Sequence, residues 1–154
     1  MTGLERIVLE QPLFRGLEAP LGALIAGCAR NVRFRAAEDL FREGAPADEF
    51  YLLREGRVAL EILEPGHAPA RFATLAPGEI AGVSWLVPPY RWTFDARALE
   101  PTRAIGVDAR CLRAKCEADH DLGYELLKRV AAALIRRLHA TRLQMLDVYG
   151  SRGR

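Results

Sequence analysis

The chain has 154 residues, half of them hydrophobic, and a formal net charge of +2. That is enough for one domain with a proper core, and too little charge to argue for a nucleic-acid partner by itself. Lysine occurs only at Lys115 and Lys128, so twenty of the 22 basic residues are arginines, a compositional bias rather than a binding signature. The longest apolar run, Leu21 to Ala29, is far shorter than the roughly 20 residues a bilayer demands. The N-terminus, MTGLERIVLE, lacks a basic segment followed by an apolar one, so no secretory signal is expected. Three cysteines, Cys28, Cys111 and Cys116, are odd in number and scattered, which fits unpaired thiols in a reducing compartment. A cytoplasmic protein is the expectation.

In chain order, a helix comes first: Glu18 to Ala29 sets Leu21, Leu24, Ile25 and Cys28 on one face. From about Val32 to Val107 the chain reads as short strands broken by turns: VRFR, DLFREG, FYLLREG, RVALEILEPG, RFATLAPG, WTFDARAL and TRAIGVD. Gly44, Gly56, Gly66 and Gly78 follow strands at regular intervals, as tight turns require. In RVALEILE, Val58, Leu60 and Ile62 alternate with Ala59, Glu61 and Leu63, which predicts a half-buried strand. Many short strands at this spacing predict an antiparallel β-roll, or jelly roll.

The last part is helical. Asp108 is placed to cap a short helix through Ala118, and Asp121 to cap a long one running to about Val148. In the long helix Leu127, Ala131, Leu134, Leu138, Thr141, Met145 and Val148 form a heptad seam, while Lys128, Arg129, Arg136, His139 and Arg142 lie opposite. Part of such a helix packs on the roll; the overhang needs another partner, and a second copy of the chain is the simplest. The predicted fold is mainly β with flanking helices: residues 1–31 helical, 32–107 the double-stranded antiparallel roll, 108–150 helical again, all in one domain.

This order of elements resembles a cyclic nucleotide-binding domain. Val32 to Leu60 looks like the opening strands of that family, with Leu40-Phe41, Glu43-Gly44, Pro46-Ala47-Asp48, Phe50-Tyr51, Gly56 and Val58 in place. PGEIAG, Pro77 to Gly82, resembles the start of its phosphate-binding cassette. The likeness spans about Leu13 to Val148. It is closest in plan to transcription regulators related to the catabolite activator protein, which continue into a winged helix-turn-helix. The chain stops at Arg154, so a DNA reader is not expected.

The resemblance implies a site. A cyclic phosphate would sit on backbone N–H groups at a short helix start, paired with one Arg and a nearby hydroxyl, while a Glu after the cassette Gly accepts from the ribose. Carried onto this chain, the ligand-binding residues are Ile80, Ala81, Gly82, Val83, Ser84, Arg91, Trp92 and Thr93. Gly82 matches the cassette Gly, and Arg91, nine residues on, falls near the phosphate-binding Arg. Val83 stands where the Glu belongs. Trp92 replaces a small or hydroxylic residue, with Thr93 the nearest hydroxyl after it. Trp85, Tyr90 and Trp92 could fill the cavity where a purine lies or stack on a ligand ring. Pro88-Pro89 stiffens the turn.

Three readings stay open: a cyclic AMP or cyclic GMP sensor using Arg91, the same fold binding another anionic or aromatic ligand, and a roll with a closed pocket kept for dimerisation or for docking a protein partner. For Arg91 by itself, an ion pair with Asp95 or a stacked surface guanidinium is the bland alternative. Catalysis is not expected. A metal-dependent roll enzyme needs converging histidines, and His67, His120 and His139 share no ligand spacing and are expected to be exposed. Cys28 reads as core packing, and Cys111 and Cys116 as small apolar helix residues. A non-catalytic, dimeric regulatory domain without metal, DNA or membrane partner is the resulting expectation.

Overall fold

The structure, a computed structural model, describes residues 3–152. Two short helices, α1 (Gly3–Glu10) and α2 (Ala19–Ala26), flank a 3-10 turn at Pro12–Phe14. Eight strands follow: β1 (Ala29–Phe34), β2 (Asp39–Phe41), β3 (Glu49–Glu55), β4 (Val58–Ile62), β5 (Ala70–Leu75), β6 (Ile80–Ala81), β7 (Asp95–Ala98) and β8 (Thr102–Asp108). They pair antiparallel in two four-stranded sheets, β1-β8-β3-β6 and β2-β7-β4-β5. The predicted roll is present, with one strand, β6, more than the sequence suggested. Helices α3 (Ala109–Ala118) and α4 (His120–Arg152) complete the chain. Among the described residues no helix is long and apolar enough to cross a membrane.

The turn glycines Gly44, Gly56, Gly66 and Gly78 all take positive φ. Phe50, Leu52, Leu60, Leu75 and Ile105, all essentially buried, share one core with Phe14, Leu112 and Leu122 of the flanking helical segments. Strand β4 departs from simple alternation: Glu61 is buried and Ile62 is 44% exposed. The pairing with β5 shifts register between Leu60 and Glu61. Arg97 then meets the Glu61 carboxylate at 2.8 and 3.2 Å. That hydrogen bonding, with the Arg97 charge, holds the Glu61 carboxyl below its ordinary range.

Asp108 caps α3 as predicted, its side chain accepting from the Cys111 N–H at 3.1 Å. The cap of α4 is a correction. Asp119, not Asp121, accepts from the N–H groups of Asp121 and Leu122, at 3.1 and 3.3 Å. Asp119 is the residue with extended backbone, φ −135°, and so stands outside the helix where a cap must.

The cysteines are the second correction. Cys28 and Cys111 form a disulfide with Cα atoms 5.8 Å apart. Sheet register brings them together. Ala29 of β1 pairs with Val107 of β8, and Asp108 N–H donates to the Cys28 carbonyl at 2.8 Å, so the residue before β1 meets the first turn of α3. Closing a chain segment of 83 residues stabilises the fold by about 2–4 kcal/mol. Two of the three cysteines are therefore neither plain core nor plain helix residues, and their number no longer argues for a reducing compartment. Cys116 is the free thiol, half-buried, and burial pushes its pKa up.

Helix α4 carries two different stripes. Leu122, Leu126 and Val130 are buried against the roll, and Ala133 and Arg137 continue the line half-buried. The heptad seam lies beside it: Leu127, Leu134, Leu138, Met145 and Val148 are 40–56% exposed. Leu127 and Ala131 of the seam are exposed, and the buried face lies one residue earlier, at Leu126 and Val130.

Candidate ligand site

The candidate site grows out of β6. Only two residues, Ile80 and Ala81, pair with β3, opposite Leu52 and Tyr51. Gly82 then turns the chain with φ +99°, a region that residues with a Cβ rarely adopt. Val83 leads into a 3-10 turn at Ser84–Leu86. The chain passes a cis Pro88-Pro89 bond and returns to the roll, where Arg91 bridges to Pro46. Three backbone bonds hold this return in place: Ala47 N–H to the Tyr90 carbonyl (2.7 Å), Trp92 N–H to Ala45 (3.0 Å) and Gly44 N–H to Trp92 (2.8 Å).

Both indoles are inside. Trp92 is 3% exposed and stacks on Phe41, centroids 3.9 Å apart and planes 14° from parallel. Its ring edge lies directly on Gly82: a Cβ added there would stand 2.5 and 2.6 Å from Trp92 Cη2 and Cζ3. Gly82 is thus required twice, for its φ and for the indole above it. Trp85 is completely buried and stacks on Phe50, centroids 4.2 Å apart and planes 7° from parallel. Its Nε1 has no hydrogen-bond partner among the described residues.

The remaining residues expected at the site are spread around these rings. Ile80 and Ala81 are buried, Val83 and Ser84 half-buried, and Thr93 exposed on the face of its segment opposite Trp92. Arg91 is exposed and donates from Nη1 to the Gly44 carbonyl at 2.9 Å. It does not pair with Asp95, which accepts from the Glu43 N–H at 2.7 Å. The three histidines are all exposed.

Two arginines that the sequence did not single out are tied to the cassette. Arg113 of α3 donates to the carbonyls of Trp85 (2.8 Å) and Ala47 (3.3 Å), and its guanidinium lies 4.2 Å from the Tyr90 ring centroid. Arg137 of α4 donates from Nη2 to the Ile80 carbonyl at 2.8 Å. Burial pulls the Arg137 pKa down, against the opposing pull of Glu79. Nothing local marks Arg113 among twenty arginines. Arg137 had a signal: it extends the 4-4-3-4 spacing of Leu122, Leu126, Val130 and Ala133, the stripe that packs on the roll.

A cavity of about 370 Å³ opens between β5, β6 and α4, with Phe72, Ile80, Arg136 and Arg137 among its lining. Gly82, Arg91 and Trp92 do not line it.

Residues 31–119 match the cyclic nucleotide-binding domain family. The fold is similar to a candidate cyclic nucleotide-binding protein from Geobacter metallireducens GS-15, with a TM-score of 0.79 and 33% identity over 90% of this chain and 100% of that one. It is also similar to the catabolite activator protein of Thermus thermophilus, at a TM-score of 0.68 and 25% identity, covering 90% of this chain and 63% of that one. A CRP-like cAMP-activated global transcriptional regulator of Mycobacterium tuberculosis (strain CDC 1551 / Oshkosh) is 23% identical over 145 residues. The chain spans 63% of the length of that regulator and 94% of its own. By the match, the roll and the cassette turn, this chain belongs to the cyclic nucleotide-binding domain family.

Proposed function

We propose that this chain is a non-catalytic regulatory domain in which Trp92 occupies the place of a cyclic phosphate, so that cyclic AMP and cyclic GMP are not its ligands. The observation that carries this reading is the indole edge packed on Gly82, too close even for a methyl group. Two others support it. Val83, half-buried, offers no acceptor where a ribose-binding Glu would be. Arg91 spends a guanidinium N–H on the Gly44 carbonyl. A cyclic nucleotide would have to displace a stacked ring and still leave its ribose hydroxyl unpaired, a cost of about 1–3 kcal/mol for that group alone.

Output is proposed to run through the long helix. Nine large apolar side chains from Leu127 to Tyr149 are exposed on α4, which suits self-association along the seam. Arg113 and Arg137 bind the cassette turn to α3 and α4, so a shift of the turn moves both helices.

Titration calorimetry with cyclic AMP and cyclic GMP is expected to give no heat up to millimolar ligand. Heat that disappears in Arg91→Ala would overturn the reading and restore Arg91 as the phosphate anchor. Light scattering is expected to give about twice the 17.1 kDa chain mass; a monomer mass would remove the helix seam from the account.

A further inference from the structure

We propose that the cavity between β5, β6 and α4 binds an organic anion: an apolar, ring-sized body carrying one phosphate or carboxylate, held by Arg137 and Arg136. The inference rests on the reading that Trp92 fills the cassette, because it moves the charge-binding group from the roll to the helix.

The cavity has the size and make-up of a small-molecule site. Its volume of about 370 Å³ lies within the range of about 300–1,000 Å³ typical of such pockets. Phe72, on β5, packs one side of its ring edge-on against Phe94, centroids 5.3 Å apart, and at 39% exposure still lines the cavity. Leu75 and Ile80 form an apolar floor.

The charge is on the other wall. Arg137 is partly withdrawn from water, yet it takes part in none of the six ion pairs among the described residues. Among the described residues its guanidinium makes one hydrogen bond, to the Ile80 carbonyl, which uses one of its five N–H donors. A cation drawn into low dielectric without a carboxylate partner is stabilised by any anion that reaches it. Arg136, next along the helix, is exposed at the rim and is likewise in no ion pair. Glu79 also lines the cavity and opposes an anion there; it is exposed and therefore screened by solvent, so two cations face one carboxylate. The ligand's charged group therefore faces α4 and its apolar body faces Phe72. A bidentate phosphate or carboxylate on Arg137 would compete with the Ile80 bond and act directly on β6.

The test uses the full chain and three small probes in calorimetry: 1-naphthyl phosphate, 1-naphthoate and the neutral 1-naphthol. At least one anionic probe is expected to bind at least tenfold more tightly than naphthol. Arg137→Gln is expected to weaken it about tenfold or more, the loss of one charge-assisted contact. Ala140→Trp, at an exposed helix position lining the cavity, is expected to abolish binding without disturbing the core, and it keeps the test open if Arg137→Gln folds poorly. Arg142→Gln, on the same helix outside the cavity, is expected to bind as the unmodified chain does. Equal affinity for naphthol and both anions, or equal losses in Arg142→Gln and Arg137→Gln, overturns the proposal. So does the absence of heat with all three probes; if cyclic nucleotides are silent as well, only this inference falls and the filled-cassette reading stands. Cyclic nucleotide binding lost in Arg91→Ala removes the premise of both.

Discussion

Trp85→Ala is expected to destabilise the domain by about 3–5 kcal/mol, the range for deleting a large buried aromatic ring. Trp85 is completely buried and stacked on Phe50 in the core. Removing it leaves the Phe50 ring facing a void, in a place where the return of the chain at Ala47 and Tyr90 is already pinned by backbone bonds and cannot collapse freely. The Arg113 guanidinium, bonded to the Trp85 carbonyl, holds the backbone of this residue in place. Domains of this size are stable by about 5–15 kcal/mol in total, so the change removes a large fraction. Trp85→Phe is expected to cost much less, since it keeps a ring on Phe50 and deletes an indole N–H that has no partner. Urea unfolding followed by far-ultraviolet circular dichroism measures both. A loss under about 1 kcal/mol for Trp85→Ala would show that the ring does not sit in the core.

The second large effect is a gain. Trp92→Ser combined with Val83→Glu is expected to bind cyclic AMP where the unmodified chain does not. The first change lifts the indole from Gly82 and puts a hydroxyl beside Arg91. The second supplies a carboxylate for the ribose. Each hydrogen bond to a charged group is worth about 1.5–3 kcal/mol, so the acceptor alone accounts for roughly ten- to a hundredfold in affinity. The same variant loses the stacking of Trp92 on Phe41 and is expected to unfold at lower urea concentration; circular dichroism must first show a folded roll. Calorimetry then decides. A folded double variant that takes up no cyclic AMP at millimolar concentration would show that the indole is not what closes the cassette.

Much of this molecule is written locally. The strand succession is visible because two-residue alternation and turn glycines depend on near neighbours only. Asp108 as the α3 cap is legible for the same reason: a cap acts on an N–H three residues away. The α4 cap was misread by two residues because Asp119 and Asp121 are chemically equivalent candidates, and only the extended φ of Asp119 separates them. The turn after β6 was legible too: Gly82 takes the positive φ that a turn glycine predicts.

What the indoles do was not legible. An aromatic beside an empty pocket and an aromatic inside a filled one have the same spelling. The difference is whether Trp92 meets Phe41 and Gly82, residues 51 and ten positions away whose approach depends on both sheets closing.

Sequence by itself therefore determined the family, the roll, the flanking helices and the turn at Gly82, since each rests on periodicity, turn chemistry and short-range order. Tertiary structure alone decided three matters. Cys28 meets Cys111 because β1 and β8 pair in one register. Arg113 and Arg137, two among twenty arginines, become the residues that tie the cassette to its helices. The chain's own tryptophan lies on the cassette glycine. Each is a contact between segments far apart in the chain, and such contacts are set by packing geometry, which no local pattern of residues encodes.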